Sequence, residues 1–90
     1  MEGEVIRRAQ RGDQRAFQQL VEQYGQLAWR TATVLLMDRT LVEDAMQESW
    51  LDAWRGLASF DPSRPLRPWL LAIVANRCRM IARRRAPPSL

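Results

Sequence analysis

Wound at about 100° per residue, residues 68 to 85 place Trp69, Ala72, Asn76, Arg79, Met80 and Arg83 on one side of a helix, with Arg77, Arg84 and Arg85 flanking them. A guanidinium binds phosphate, an amide reads base edges, and an indole stacks on a base. That set is binding chemistry suited to nucleic acid. The plainer reading is a solvated Arg-rich helix end whose cations favour the negative pole of the helix dipole. It accounts for Arg83 to Arg85, but not for a Trp and a Met on the face of Asn76. Trp69 has two readings of its own, stacking on a base or closing the core.

A second surface has the opposite charge. Between residues 41 and 57, Val42, Met46, Trp50, Ala53 and Leu57 form an apolar stripe. Asp44, Gln47, Glu48, Leu51, Asp52 and Arg55 fall on the other side. Surface acids commonly only solvate a helix. Leu51 ringed by charge, however, has the make-up of an interface centre. Net charge is +1 over residues 1–37, −4 over 38–61 and +7 over 62–90, within a total of +4. All fourteen basic residues are Arg, whose planar fork suits phosphate and ring stacking. Two faces of opposite sign in so small a chain suggest two macromolecular partners.

Other chemistry is poorly supplied. The chain has no His and a single Cys, Cys78, which excludes an internal disulfide and leaves no set for zinc or His-based catalysis. Cys78 lies on an apolar stripe and reads as a small buried hydrophobe. There is no P-loop, GxGxxG or nucleophile motif. The expectation is a protein that is not an enzyme and uses no cofactor or metal. No signal or lipidation motif is present, and every charge-free stretch falls far short of the roughly 20 apolar residues that span a bilayer. A cytoplasmic protein without membrane insertion is expected.

The elements that position these faces follow from apolar spacing, which is helical nearly throughout. Ninety residues hold one small domain, too small for a layered α/β enzyme. The expected fold is all-α, a small bundle of about four helices. Val5, Ile6 and Ala9 mark a short first helix stopped near Gly12. Asp13 is a suitable N-cap for a long second helix over about 14–36, with a stripe through Phe17, Leu20, Val21, Tyr24, Leu27, Ala28, Thr31 and Leu35. Trp29 and Leu36 lie off that stripe and either pack against a further neighbour in the core, the favoured reading, or are exposed. Thr40 and Glu43 have capping-box spacing, so the third helix is expected from Leu41 to about Leu57. Phe60 to Pro65 reads as a loop stiffened by Pro62 and Pro65. The fourth helix should open near Pro68, with Leu70, Leu71, Val74, Cys78 and Ile81 as its core stripe. The domain is expected to occupy residues 1–86, with 87–90 beginning a linker.

Several motifs follow one another in order: Gly12-Asp13-Gln14 with Ala16-Phe17; Glu43-Asp44-Ala45-Met46-Gln47-Glu48; Trp50-Leu51-Asp52-Ala53-Trp54; Phe60-Asp61; Arg67-Pro68-Trp69-Leu70; Ile73-Val74-Ala75-Asn76; and Arg83-Arg84-Arg85. The series resembles region 2 of a bacterial sigma factor of the extracytoplasmic-function branch of the sigma-70 family, over about residues 3–86. The resemblance implies a helical domain that binds the clamp helices of the largest subunit of RNA polymerase core and captures the melted −10 promoter element. The family's polymerase-binding motif falls on Asp44, Gln47 and Glu48, around Leu51. Its −10 contacts fall on the loop, at Phe60, Asp61, Ser63 and Arg64, and on the last helix, at Trp69, Asn76, Arg77, Arg79, Met80, Arg83 and Arg84. Many family members have a flexible Gly/Asp/Ser loop there, whereas Pro62, Pro65 and Pro68 stiffen this one. The family's region 4, which reads the −35 element, is expected to be absent, making the chain an excised domain or a natural fragment.

Implied partners are polymerase core, single-stranded promoter DNA and an anti-sigma factor. An alternative is a helical interaction module whose main partner is a protein such as an anti-sigma factor. A general RNA- or membrane-surface binder fits less well, because the acidic third helix would repel phosphate.

Overall fold

Four α-helices and one 3-10 turn make up residues 1–85, the part of the chain that the computed structural model describes. The expected domain limit at residue 86 and the linker at 87–90 lie outside the described residues.

Helix α1 (Glu2–Gln10) is followed by a turn in which Gly12 takes a φ of 94°, in the left-handed region that glycine enters without a Cβ clash. Asp13 then caps α2 (Gln14–Leu36), its Oδ1 accepting from the amides of Arg15 and Ala16 at 3.0 and 3.2 Å. Met37 ends α2 in the left-handed conformation, with φ 53°, and its amide donates to the Thr33 carbonyl at 2.9 Å.

Helix α3 (Arg39–Gly56) starts two residues before the expected position, and its cap is Asp38, not Thr40. The extended backbone of Asp38 lets its Oδ1 reach the Leu41 amide at 3.2 Å, so Thr40 is already helical. A 3-10 turn over Leu57–Ser59 leads into the loop, and α4 (Leu66–Arg85) follows. Pro68 is its third residue, in the first turn, where a missing amide proton breaks no intrahelical bond.

The core runs along the bundle as two clusters. One joins Ile6, Ala9, Leu20, Leu57, Phe60 and Leu66, with Tyr24 and Trp69 at its edge. The other joins Ala28, Ala32, Val42, Ala45, Val74, Cys78 and Ile81. Small side chains line this second cluster on α2 and α3, which lets α4 pack close to both. Larger rings are displaced to the flanks, and several expectations change accordingly. Ala45 and Ser49 lie in the α3 core line, while Met46 and Trp50 are half-buried beside it. Leu35 is 49% exposed and Trp29 37% exposed, whereas Leu36 is half-buried against the second cluster. On α4, Leu70, Val74, Cys78 and Ile81 are buried and Leu71 only partly so. Among the described residues, no helix is long and apolar enough to cross a membrane.

Candidate nucleic-acid and protein interfaces

The loop between the 3-10 turn and α4 is built by short-range bonds. Asp61 Oδ1 accepts from the amide and the hydroxyl of Ser63, at 2.9 and 2.7 Å. The Arg64 amide donates to the Asp61 carbonyl at 3.0 Å, closing the turn. Those two Ser63 bonds, aided by the nearby Arg64 guanidinium, hold the Asp61 carboxyl below its ordinary range. Ser59, Phe60, Asp61, Arg64, Pro65, Pro68 and Trp69 line a pocket of about 540 Å³ on the outer side of this loop.

Phe60 does not extend into solvent as a loop residue would. It is 8% exposed, sits in the first core cluster, and its ring packs on Trp69 with centroids 4.9 Å apart. A ring of that size gains more from burial than the loop loses by turning inward. Trp69 closes the core at its edge and also lines the pocket. It packs against Phe60, an added Cβ on Gly56 would lie 3.4 Å from its Cζ2, and it also forms a wall of the pocket.

Helix α1 braces the loop at both ends. The Gln10 side-chain amide donates to the carbonyls of Leu57 and Phe60, at 2.8 and 2.7 Å. Glu2 accepts from the Leu66 amide at 3.2 Å, capping α4, and also from the Tyr24 hydroxyl. Burial first, and then that bond to Glu2, push the Tyr24 phenol up to about 12. Glu2 and Gln10 have no place among the residues singled out from sequence. The available signal was spacing: both stand four residues from Ile6, on the buried side of α1.

On α4, Asn76, Arg79, Met80 and Arg83 are exposed and follow Trp69 along one face. Arg79 donates to the Asn76 side-chain oxygen at 3.0 Å, and both residues are exposed. Arg77 lies apart from them. Its guanidinium makes a bidentate pair with Asp52, at 2.8 and 2.9 Å, and reaches Glu48 at 3.4 Å. The Asp52 hydrogen bonds raise the Arg77 pKa further above its ordinary value. Arg84 meets Glu48 at 3.2 Å, and Arg85 meets Asp44 at 3.8 Å. Since α3 and α4 run antiparallel here, Asp44, Glu48 and Asp52 at four-residue steps form a ladder with Arg85, Arg84 and Arg77.

The acidic side of α3 therefore has two flanks. Asp44, Glu48 and Asp52 are half-buried toward α4. Gln47 and Leu51 face outward, Leu51 being 51% exposed, and they border a groove with Phe17, Val21, Trp50 and Trp54. Phe17 holds both indoles edge-on, at 6.1 and 4.9 Å.

Comparison with known proteins matches the chain itself to a family. A family model described as Sigma-70 region 2 matches residues 20–87. The RNA polymerase sigma factor CnrH of Cupriavidus metallidurans is 40% identical over 72 residues, covering 80% of this chain and 38% of CnrH. The sigma factor NccH of Alcaligenes xylosoxydans is 38% identical over 79 residues, covering 88% of this chain and 42% of NccH. The chain thus spans about two fifths of the length of these curated relatives. A solved structure of CnrH in complex with the cytosolic domain of CnrY superposes with a TM-score of 0.84 at 36% identity, covering 94% of this chain and 55% of that one. An engineered region 2 of sigmaE in complex with GTAAAA superposes with a TM-score of 0.85 at 30% identity, covering 98% and 95%.

Proposed function

Because the chain belongs to the sigma-70 region 2 family, we propose that it is the promoter-recognition domain of a cytoplasmic sigma factor, binding polymerase core and holding the −10 element as a single strand. The observation that carries the reading is the continuity of the loop pocket with the outer face of α4. Trp69 belongs to both, and Asn76, Met80 and Arg83 extend the same line. In this reading Asp61, Ser63, Arg64 and Trp69 receive a flipped base, Asn76 contacts a base edge, and Arg79 and Arg83 hold phosphates. Phe60 supports the pocket from inside, and Arg77 and Arg84 act first in the ladder with α3. The resemblance to a region 2 solved with GTAAAA supports this assignment.

Melting then needs no bond-making chemistry, and the domain is not an enzyme. Extruding a base costs a few kcal/mol. Stacking in a pocket returns about 1–3 kcal/mol per base. A surface that fits the single strand better than the duplex shifts the equilibrium toward the open form.

Polymerase core, through the clamp helices of its largest subunit, is assigned to α3. Leu51 and Gln47 are outward there, and Asp44 and Glu48 lie on the adjacent flank. The apolar groove beside Leu51 also favours a second protein partner, an anti-sigma factor, a reading supported by the likeness to CnrH in its complex with CnrY.

The test is equilibrium binding of fluorescent GTAAAA single strand, its duplex and a scrambled strand, together with capture of polymerase core by the wild type and by Leu51→Ala. Preference for the cognate single strand and loss of core capture in the variant are expected. Equal affinity for all three DNAs would refute the DNA assignment, and normal core capture by Leu51→Ala would refute the protein assignment.

A further inference from the structure

Helix α1 lies outside the pocket, and none of its side chains lines it. Yet α1 supplies the loop's long-range polar restraints. The Gln10 Nε2 spends both protons on the Leu57 and Phe60 carbonyls, across 47 and 50 residues of sequence. The Leu57 carbonyl also accepts the Phe60 amide at 3.0 Å, so these contacts meet at the turn that aims Phe60 inward. Phe60 in turn seats Trp69, one wall of the pocket, while its neighbours Ser59 and Asp61 form part of the rim. At the far end Glu2 holds the Leu66 amide, and Gly3 lies so close that an added Cβ would stand 3.2 Å from the Pro62 carbonyl.

We propose that Gln10 is a positioning residue for base selection: by clamping the Leu57 and Phe60 carbonyls it holds the loop pocket in its base-accepting shape before DNA arrives. The inference rests on the functional reading above, since it requires that the pocket takes a base. The physical basis is preorganisation. A pocket already in its bound shape loses little conformational freedom on binding and rejects a base that fits poorly, whereas a mobile rim adapts to either. Gln10 itself contacts no DNA in this arrangement, so its effect must appear in selectivity and not in the phosphate contribution. Two substitutions remove both donors at nearly constant shape. Gln10→Met takes the Gln10 donor from both carbonyls and leaves Leu57 with the Phe60 amide alone, and Gln10→Glu sets a carboxylate against them.

The experiment titrates the 90-residue wild type and both variants with fluorescent GTAAAA strands, one base varied at a time, at several salt concentrations. Circular dichroism melts run alongside. Both variants are expected to compress the ratio between the best and worst base at the pocket position by about tenfold, the worth of one to two hydrogen bonds. Their affinity for a scrambled strand and their salt slopes are expected to match the wild type. Folded variants that keep the wild-type base ranking would overturn the inference. So would a uniform loss of affinity for every strand, which is the signature of a merely structural role. A wild type that shows no base ranking would instead refute the functional reading itself, and so is distinguishable from either result.

Discussion

Replacing Arg77 with alanine separates the two roles that an arginine on α4 can have. Its guanidinium donates twice to Asp52, at 2.8 and 2.9 Å, and once to Glu48 at 3.4 Å, with its side chain 20% exposed. Fully exposed ion pairs contribute about 0–1 kcal/mol, and hydrogen bonds to charged groups contribute about 1.5–3 kcal/mol. A bidentate pair at this depth falls in the lower half of the second range, so Arg77→Ala should destabilise the domain by about 2 kcal/mol. Part of that loss is the charge left behind on half-buried Asp52 and Glu48. In a domain of this size about 2 kcal/mol lowers the melting temperature by about 8–16 °C. The same substitution should leave the salt dependence of single-strand binding unchanged, because Arg77 faces α3. Arg83→Ala is the control: no ion-pair partner holds Arg83 among the described residues. It should melt like the wild type and reduce the log–log salt slope by about 0.7, the contribution of one phosphate contact on a single strand. Thermal melts followed by circular dichroism and titrations at four salt concentrations read both quantities. Refutation is an Arg77→Ala domain that melts normally yet loses salt slope, which would put the guanidinium on DNA and make the ladder incidental.

Three further outcomes follow from single positions. Ser49→Ala should be neutral or stabilising by up to about 1 kcal/mol in a denaturant titration, because the buried Ser49 hydroxyl has no hydrogen-bond partner to lose; clear destabilisation would show that the hydroxyl is satisfied in solution. Asp38→Ala should cost about 1 kcal/mol and Thr40→Ala far less, since Asp38 carries the α3 cap; equal losses would return the cap to Thr40. The Tyr24 phenol, raised from 10.0 to about 12 in the folded state, binds its proton more tightly than in the unfolded chain. Its contribution to stability is therefore complete below pH 10 and declines as pH rises through 10 toward 12. Phenolate absorbance of the folded chain should rise near pH 12 and that of the urea-unfolded chain near pH 10; a folded-state rise near 10 would contradict the burial of the phenol together with its bond to Glu2.

Local chemistry determined much of this protein. Helical spacing of apolar residues specified four helices, because each must bury one face. Asp13, Gly12 and the prolines marked breaks through bonds and dihedrals that reach only a few residues. The opposite charges of α3 and α4, and the ordered motifs of a sigma region 2, were legible for the same reason: they reside in residue identity and spacing. Tertiary structure alone decided which neighbours those residues meet. Arg77 and Asn76 are adjacent in sequence, yet one is drawn into a ladder 25 residues back at Asp52 and the other is left outward. Phe60 belongs to a loop by sequence and to the core by packing, because Ile6, Leu20, Leu57 and Leu66 join it in one apolar cluster. Gln10 and Glu2 act across 47 to 64 residues, and no local pattern states which distant carbonyl or amide will be left without a partner. Periodicity assigns a residue to a face; only the packing of the helices determines whether that face meets solvent, an acid or a loop.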